Sequence, residues 1–168
     1  MSELEGTNIA AGDAAEEVRD DASVYIERVV AFFLGGQRYA LPLERVNEIQ
    51  QIVAFSETPE GRSSVVGMVN LRGSVIPAVD MRLLVGLDPL EYTLETPMII
   101  TCTRGQTVAL IVDEVQDVLE LPDGCLQAAP PLHALSSKMI GVARMPDGLM
   151  NLLDIDRLLA ADQFGGGR

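Results

Sequence analysis

The stretch Gly36–Val46, GQRYALPLERV, occurs again in altered form at Gly105–Val115, GQTVALIVDEV. The two stretches lie 69 residues apart and agree at five of eleven positions, and Glu44 corresponds to Asp113 with its charge kept. Each stretch follows a β-branched or aromatic apolar run and a glycine-containing turn, which is the pattern of a β-hairpin. The sequence therefore predicts the same hairpin at the start of two successive parts of the chain.

A second pair of repeats follows the first pair in the same order. Residues 66–69 (VGMV) match 140–143 (IGVA), and residues 75–80 (VIPAVD) match 149–154 (LMNLLD), both at a distance of 74. The five extra residues needed in the second half are assigned to the stretch around Pro130-Pro131. Each half then comprises a hairpin, a crossing segment, a second hairpin and a short helix, which indicates an internal duplication.

Two aspartates stand where each predicted short helix begins. Asp80 and Asp154 follow a strand and precede leucine-rich segments, so each carboxylate is expected to accept from the free N–H groups of the next turn. Gly86 is placed to end the first of these helices. Both aspartates are therefore assigned to helix capping rather than to chemistry.

The predicted fold class is all-β with short helices. Four or five strands per half are too few for a sandwich, whereas a small closed barrel leaves no exposed sheet edge. We therefore expect two small barrels related by the duplication, side by side, with a groove between them.

The charge of the chain disfavours several classes of partner. The 168 residues include 25 acidic and 12 basic side chains, a formal net charge of −13, which argues against binding to nucleic acid or to an anionic membrane surface. No apolar run approaches the roughly 20 residues of a membrane span, and the first residues lack the pattern of a signal peptide. With two cysteines and no CxxC spacing, a reduced cytoplasmic chain is the simplest interpretation.

The search for catalytic or cofactor chemistry finds little. The single histidine, His133, lies beside Pro130-Pro131 and is interpreted as a loop residue. Cys102 is interpreted as a small core residue in a strand and Cys125 as a turn residue, neither with a partner at metal-binding spacing. Nucleophile-elbow, Walker A, Rossmann and HExxH motifs are absent from the sequence. The residues alone thus indicate no catalytic site, and they predict no cofactor or metal.

One turn distinguishes the two halves. The second hairpin of the second half turns on Met145–Gly148 (MPDG), whereas the first half has Asn70–Ser74 (NLRGS) at the same place. Gly73 can supply a positive φ, which would put Leu71 and Arg72 near the tip. An arginine beside a leucine there is either an anchor for a protein partner or a solvated turn charge, and the residues alone do not separate the two.

The segment Val66–Arg82, with its Asn-Leu-Arg-Gly-x-x-x-Pro-x-x-Asp core, closely resembles the signature of CheW-like proteins, the coupling proteins of bacterial chemotaxis. Residues 39–49 and 108–115 are similar to two further family stretches in the expected order. The resemblance implies two five-stranded SH3-like barrels. It also implies a cytoplasmic, non-catalytic scaffold, recruited to receptor arrays, that links the helical-hairpin tip of a chemoreceptor to the regulatory domain of a histidine kinase.

Carried over by motif, Arg72 would contact the receptor. No comparable motif marks the kinase contact, for which the weaker candidates are apolar edge positions of the first barrel, Leu43 and Ile49. The receptor-contact set that the resemblance implies comprises Asn70, Leu71, Arg72, Val46 and Glu48.

The expected organisation has a disordered acidic tail at 1–24, a CheW-like domain at 25–163 and a flexible tail at 164–168. Within the domain, the first barrel would span about 43–96 plus exchanged or adjacent strands, the second about 97–153, and a C-terminal helix about 154–163. The alternatives that stay open are the same fold in a surface-motility or second-messenger pathway, a small-molecule-binding β-barrel, and an enzyme with an unrecognised site. Binding of receptor and kinase fragments, beside a ligand thermal-shift panel, would separate them.

Overall fold

A computed structural model describes residues 26–52, 55–57 and 64–160 of the chain. The predicted acidic tail at 1–24 and the predicted flexible tail at 164–168 lie outside the described residues. Within them the chain forms twelve strands and two short α-helices. The strands are β1 (Arg28–Leu34), β2 (Gln37–Pro42), β3 (Glu48–Gln51), β4 (Phe55–Glu57), β5 (Val65–Leu71), β6 (Ser74–Asp80), β7 (Pro97–Thr103), β8 (Gln106–Ile111), β9 (Glu114–Glu120), β10 (Leu126–Gln127), β11 (Met139–Met145) and β12 (Gly148–Leu153), and the helices are α1 (Met81–Leu84) and α2 (Ile155–Ala160).

The strands form two sheets with the same internal order. Sheet I runs β9-β1-β2-β12-β11-β10 and sheet II runs β3-β7-β8-β6-β5-β4. The one parallel pair in each sheet sets Leu152 beside Ala40 and Ala78 beside Ala109, which are equivalent positions under the two repeat distances of the sequence. The predicted all-β fold with duplicated halves and short helices is confirmed.

The two halves exchange their first hairpins. The β1–β2 hairpin pairs with β9 and β12 in sheet I, while the β7–β8 hairpin pairs with β3 and β6 in sheet II. Residues 97–111 therefore join strands of residues 48–80 in sheet II, while the barrel bounds of about 43–96 and 97–153 stay predictions. Residues 28–42 correspondingly join strands of residues 114–153 in sheet I. The hydrogen bonding thus links the two halves of the chain twice.

Alternation along the exchanged strands explains their continuous apolar sequence. Successive residues of a strand face opposite sides of the sheet, so one set enters the core of its own sheet and the other enters a shared core between the sheets. The shared core contains Val30, Phe32, Leu34, Tyr39 and Leu41 from sheet I and Val79, Ile99, Val108 and Leu110 from sheet II. The space between the two sheets, where a groove is expected from the sequence, holds this buried core.

Each sheet has six strands rather than the five predicted per barrel. The extra strands are the short edges β4 and β10, which pair with β5 and β11. Their close approach requires glycine: a Cβ at Gly67 would meet the carbonyl oxygen of Ser56, and one at Gly141 would meet that of Gln127. Segments of three and two residues carry too little alternation to be recognised as strands in the sequence.

The predicted caps are confirmed. Asp80 Oδ1 accepts from the N–H of Arg82 at 2.9 Å, and Asp154 Oδ1 accepts from that of Arg157 at 3.2 Å. Gly86, with φ of 88°, follows the end of α1. Neither α1 nor α2, at four and six residues, is long enough to cross a membrane.

One side-chain prediction is wrong. Cys102 is exposed rather than part of the core, because it lies on the outward side of β7 between the buried Thr101 and Thr103.

Candidate functional site

Arg72 occupies the tip of the β5–β6 hairpin. Leu71 pairs with Ser74, so Arg72 and Gly73 alone form the turn, and their φ angles of 52° and 88° are both in the left-handed region. This geometry is that of a type I′ turn, which matches the twist of the strands that it joins. The side chain of Asn70 accepts from the N–H of Gly73 at 3.0 Å. The turn therefore fixes the point from which the arginine side chain extends.

Arg72 makes a bidentate ion pair with Glu48 on β3. Its Nη1 donates to Oε2 at 2.7 Å and its Nη2 to Oε1 at 2.6 Å. Three strands separate β3 from β5 in the order of sheet II, so the sheet must curl to bring the two residues together. The pair links an edge strand to a hairpin tip, and the arginine side chain is still 66% exposed.

The carboxylate of Glu48 is fully charged near neutral pH. Its hydrogen bonds with Arg72, and then the bond that it accepts from Gln50 Nε2 at 2.9 Å, lower its pKa to about 2. The same pairing raises the pKa of Arg72. Because a guanidinium has five N–H donors and Glu48 occupies two of them, Arg72 can also donate to an acceptor on a second molecule.

Exposed apolar side chains also lie on sheet II, on the face opposite to Glu48. Val75, 63% exposed, is the cross-strand partner of Asn70, and Met68 on β5 is 37% exposed. Ile49 is 43% exposed, and its partner on β7 is Ile99 of the shared core, so it faces the other side of the strand from Glu48. The hairpin that carries the held cation thus also exposes an apolar side chain at Val75, a combination that suits protein recognition.

The structure groups some of the predicted site residues and separates others. Asn70, Arg72 and Glu48 form one group, with Leu71 half-buried beside them. Val46 and Leu43 are half-buried against the shared core, so they support the site more than they display surface. Gln50 was missed by motif reasoning. The signal was its spacing of two residues from Glu48 on one strand, which puts both side chains on the same face.

The equivalent hairpin of sheet I carries the opposite charge. Its turn contains Asp147, which pairs with Arg38 at 2.7 Å, and Arg38 also contacts Gln116 at 3.5 Å. These side chains border a cavity of about 710 Å³ whose apolar lining includes Leu149. An arginine at the tip of the second hairpin is therefore a feature of the first half, and the duplicated halves present chemically different surfaces.

Groups that could perform other chemistry are engaged or isolated in the described part of the chain. His133 Nδ1 accepts from the N–H of Leu135 at 3.1 Å, as part of a local turn. Cys125 is buried while Cys102 is exposed. Among the described residues no group of three His, Cys, Asp or Glu side chains is arranged to hold a metal ion.

Comparison with known proteins gives a consistent family assignment. The family model described as a CheW-like domain matches residues 28–163. The Chemotaxis protein CheW of Bacillus subtilis is 28% identical over 135 residues, covering 79% of this chain and 86% of that protein. The Probable chemotaxis protein CheW of Rhizobium etli is 25% identical over 134 residues, with coverages of 79% and 86%.

A solved structure shares the fold. The scaffolding protein TtCheW of Thermoanaerobacter tengcongensis superposes with a TM-score of 0.72 at 26% sequence identity. The match covers 80% of this chain and 92% of that one. The two-sheet architecture described above is thus also that of a CheW scaffolding protein.

Proposed function

The chain belongs to the CheW-like family, and on that basis we propose that it is a non-catalytic adaptor that couples chemoreceptors to a histidine kinase. The match over residues 28–163 and the likeness to a scaffolding protein support a scaffold role. The observation that carries the proposal is the exposed Arg72, held in place by Glu48 at the tip of a rigid hairpin. It is the anchor of a binding surface rather than a solvated turn charge.

The receptor partner is the helical-hairpin tip of a chemoreceptor. Such a tip ends its helices in a turn, which leaves backbone carbonyl groups without intrahelical partners. The free donors of Arg72 satisfy one of those carbonyls or a receptor carboxylate, while Val75 packs against the apolar stripe of the helix. Asn70 and Leu71 shape the turn, and Val46 and Glu48 form the adjoining edge.

The kinase partner binds through its regulatory domain at a separate surface. Ile49 is the better of the two proposed contacts, because its side chain is exposed at the edge of sheet II. Leu43 contributes from a half-buried position. Glu48 of the receptor set and Ile49 of the kinase set face opposite sides of β3, so the two partners would approach this edge strand from different sides.

The adaptor acts in the cytoplasm, recruited to membrane-associated receptor arrays by its partners. It needs no membrane insertion and no nucleic acid, in line with its net charge of −13. Individual contacts of modest affinity suffice, because a lattice of adaptors, receptors and kinases supplies avidity.

The proposal is tested by co-sedimentation of the full chain with receptor-tip and kinase fragments. Arg72→Glu should abolish receptor binding, and Arg72→Asn, which keeps a residue suited to positive φ, should weaken it about tenfold, the equivalent of about 1.4 kcal/mol. The unfolding temperature should fall only slightly in either variant, because the lost ion pair with Glu48 is exposed. Arg144→Glu, an exposed charge reversal on the equivalent hairpin of sheet I, serves as the matched control and should bind normally.

Two results would contradict the proposal. Normal receptor binding by Arg72→Glu would show that Arg72 does not anchor the receptor. A large thermal shift with a small molecule, together with the absence of any protein partner, would favour the ligand-binding alternative.

A further inference from the structure

A second ion pair joins the C-terminal helix to the segment that precedes Glu48. Arg45 Nη1 and Nη2 each donate to a carboxylate oxygen of Asp156 at 3.0 Å, although 111 residues separate them in the chain. Asp156 also accepts from Thr103 Oγ1 at 2.6 Å, and Arg45 Nη2 donates to the carbonyl of Cys102 at 2.7 Å. One carboxylate on α2 therefore ties Arg45 to the end of β7.

The backbone around Arg45 is fixed at the same place. The hydroxyl of Thr101 donates to the carbonyl of Arg45, and the N–H of Asn47 donates to the carbonyl of Ile100 at 2.8 Å. Glu48, which holds Arg72, follows Asn47 directly. The receptor-contact edge is thus held mainly by β7, and α2 adds one contribution, the ion pair of Asp156 with Arg45.

The other half of the duplication has a similar ion pair, displaced by one residue and remote from this edge. Arg82 on α1 occupies the position of Asp156 under the second repeat distance, and it pairs with Asp113, the residue equivalent to Glu44. Asp113 also accepts from the N–H of Gly35 at 2.8 Å in the β1–β2 turn. The Arg82–Asp113 pair is the more buried of the two, with side chains 15% and 21% exposed, against 29% and 48% for Arg45 and Asp156.

We propose that Asp156 is a positioning residue for receptor binding, acting through Arg45 on the edge that carries Val46 and Glu48. This inference rests on the proposed receptor contact at Arg72. Asp156 orients the guanidinium of Arg45, Arg45 anchors the end of β7, and the 43–48 segment is held where Glu48 can pair with Arg72. The C-terminal helix of the second half thereby controls the binding surface of the first.

The test compares full-length Asp156→Asn, Asp156→Glu and Asp113→Asn. Amide hydrogen exchange at residues 46–48 and affinity for the receptor-tip fragment are both measured. Asp156→Asn keeps the shape of the side chain but removes its charge, so exchange at 46–48 should accelerate and affinity fall about fivefold, the equivalent of about 1 kcal/mol for a partly exposed pair. Asp156→Glu, which keeps a carboxylate, should retain most of the amide protection at residues 46–48 and most of the receptor affinity.

Asp113→Asn is the control for a general loss of stability. It breaks the more buried pair and should lower the unfolding temperature at least as much, yet leave exchange at 46–48 and receptor affinity unchanged. Equal losses of affinity in Asp113→Asn and Asp156→Asn would overturn the positioning role, as would unchanged exchange in Asp156→Asn. Arg72→Glu in the same assay keeps the two proposals apart, since normal binding by that variant refutes the receptor site while the exchange measurement still judges the role of Asp156.

Discussion

Leu152→Ala should destabilise both sheets equally, although the side chain lies in the core of sheet I alone. Leu152 is fully buried there beside Ala40 and Met150. Removing three carbons costs about 2.4 kcal/mol of transfer free energy, and the remaining cavity raises the total to about 3–4 kcal/mol. At about 2–4 °C per kcal/mol for a chain of this size, the unfolding temperature should fall by roughly 10 °C.

The reason for joint unfolding is the shared core. If sheet I unfolded alone, Val79, Ile99, Val108 and Leu110 of sheet II would lose their cover. Exposing four such side chains costs roughly 6–12 kcal/mol, which is comparable with the whole stability of a typical domain, about 5–15 kcal/mol. Unfolding one sheet alone therefore costs nearly as much free energy as unfolding the whole chain.

Amide hydrogen exchange, combined with urea unfolding, measures directly whether the two sheets unfold together. The slowest amides of β12 in sheet I and of β7 in sheet II should lose the same free energy of protection in Leu152→Ala. Leu132→Ala, at a side chain that is 98% exposed, is the control and should change stability by less than about 0.5 kcal/mol. Two separate unfolding transitions, or unchanged protection of β7, would refute the reasoning.

Two further predictions concern single positions. Gly67→Ala should destabilise the chain by about 1–3 kcal/mol in urea unfolding, because the new Cβ would overlap the carbonyl oxygen of Ser56 on β4; wild-type stability would show that β4 does not lie so close. NMR titration should give Glu48 a pKa of about 2, returning towards its ordinary 4.5 in Arg72→Asn. Because the pKa of Glu48 is depressed in the folded state, the ion pair with Arg72 stabilises the fold above pH 4.5, and this stabilisation is lost as the pH falls towards 2. If the unfolding free energies of wild type and Arg72→Asn depended equally on pH over that range, the prediction would be contradicted.

Local features of the fold could be predicted from the sequence. The first hairpin of each half is encoded within fifteen residues by apolar runs and a glycine turn, and the caps at Asp80 and Asp154 depend on adjacent residues. The duplication was visible because two blocks repeat in the same order. These features need no knowledge of which strands are neighbours.

The strand exchange could not be predicted in this way. The pairing of β2 with β12 joins residues more than a hundred positions apart, and the apolar pattern of β2 is the same whichever sheet receives it. The position of Cys102 within a predicted strand suggests a core residue, but its alternation with the buried Thr101 and Thr103 places it outside.

The candidate site was only partly accessible from motifs. They identified Arg72 and Glu48 separately, but the curl of sheet II that joins them across 24 residues is a tertiary property. Gln50 and Asp156 belong to no recognised motif, and their contacts depend on strand register and on the docking of α2.

The most direct test of the account is the set of backbone amide shifts that a receptor-tip fragment causes in the full chain. Binding should shift the amides of residues 46–50 and 70–75, the two segments that the Arg72–Glu48 ion pair joins, and these shifts should vanish in Arg72→Glu. Shifts confined to the equivalent hairpin of sheet I, around Asp147, would contradict the claim that the arginine tip of the first half is the receptor anchor.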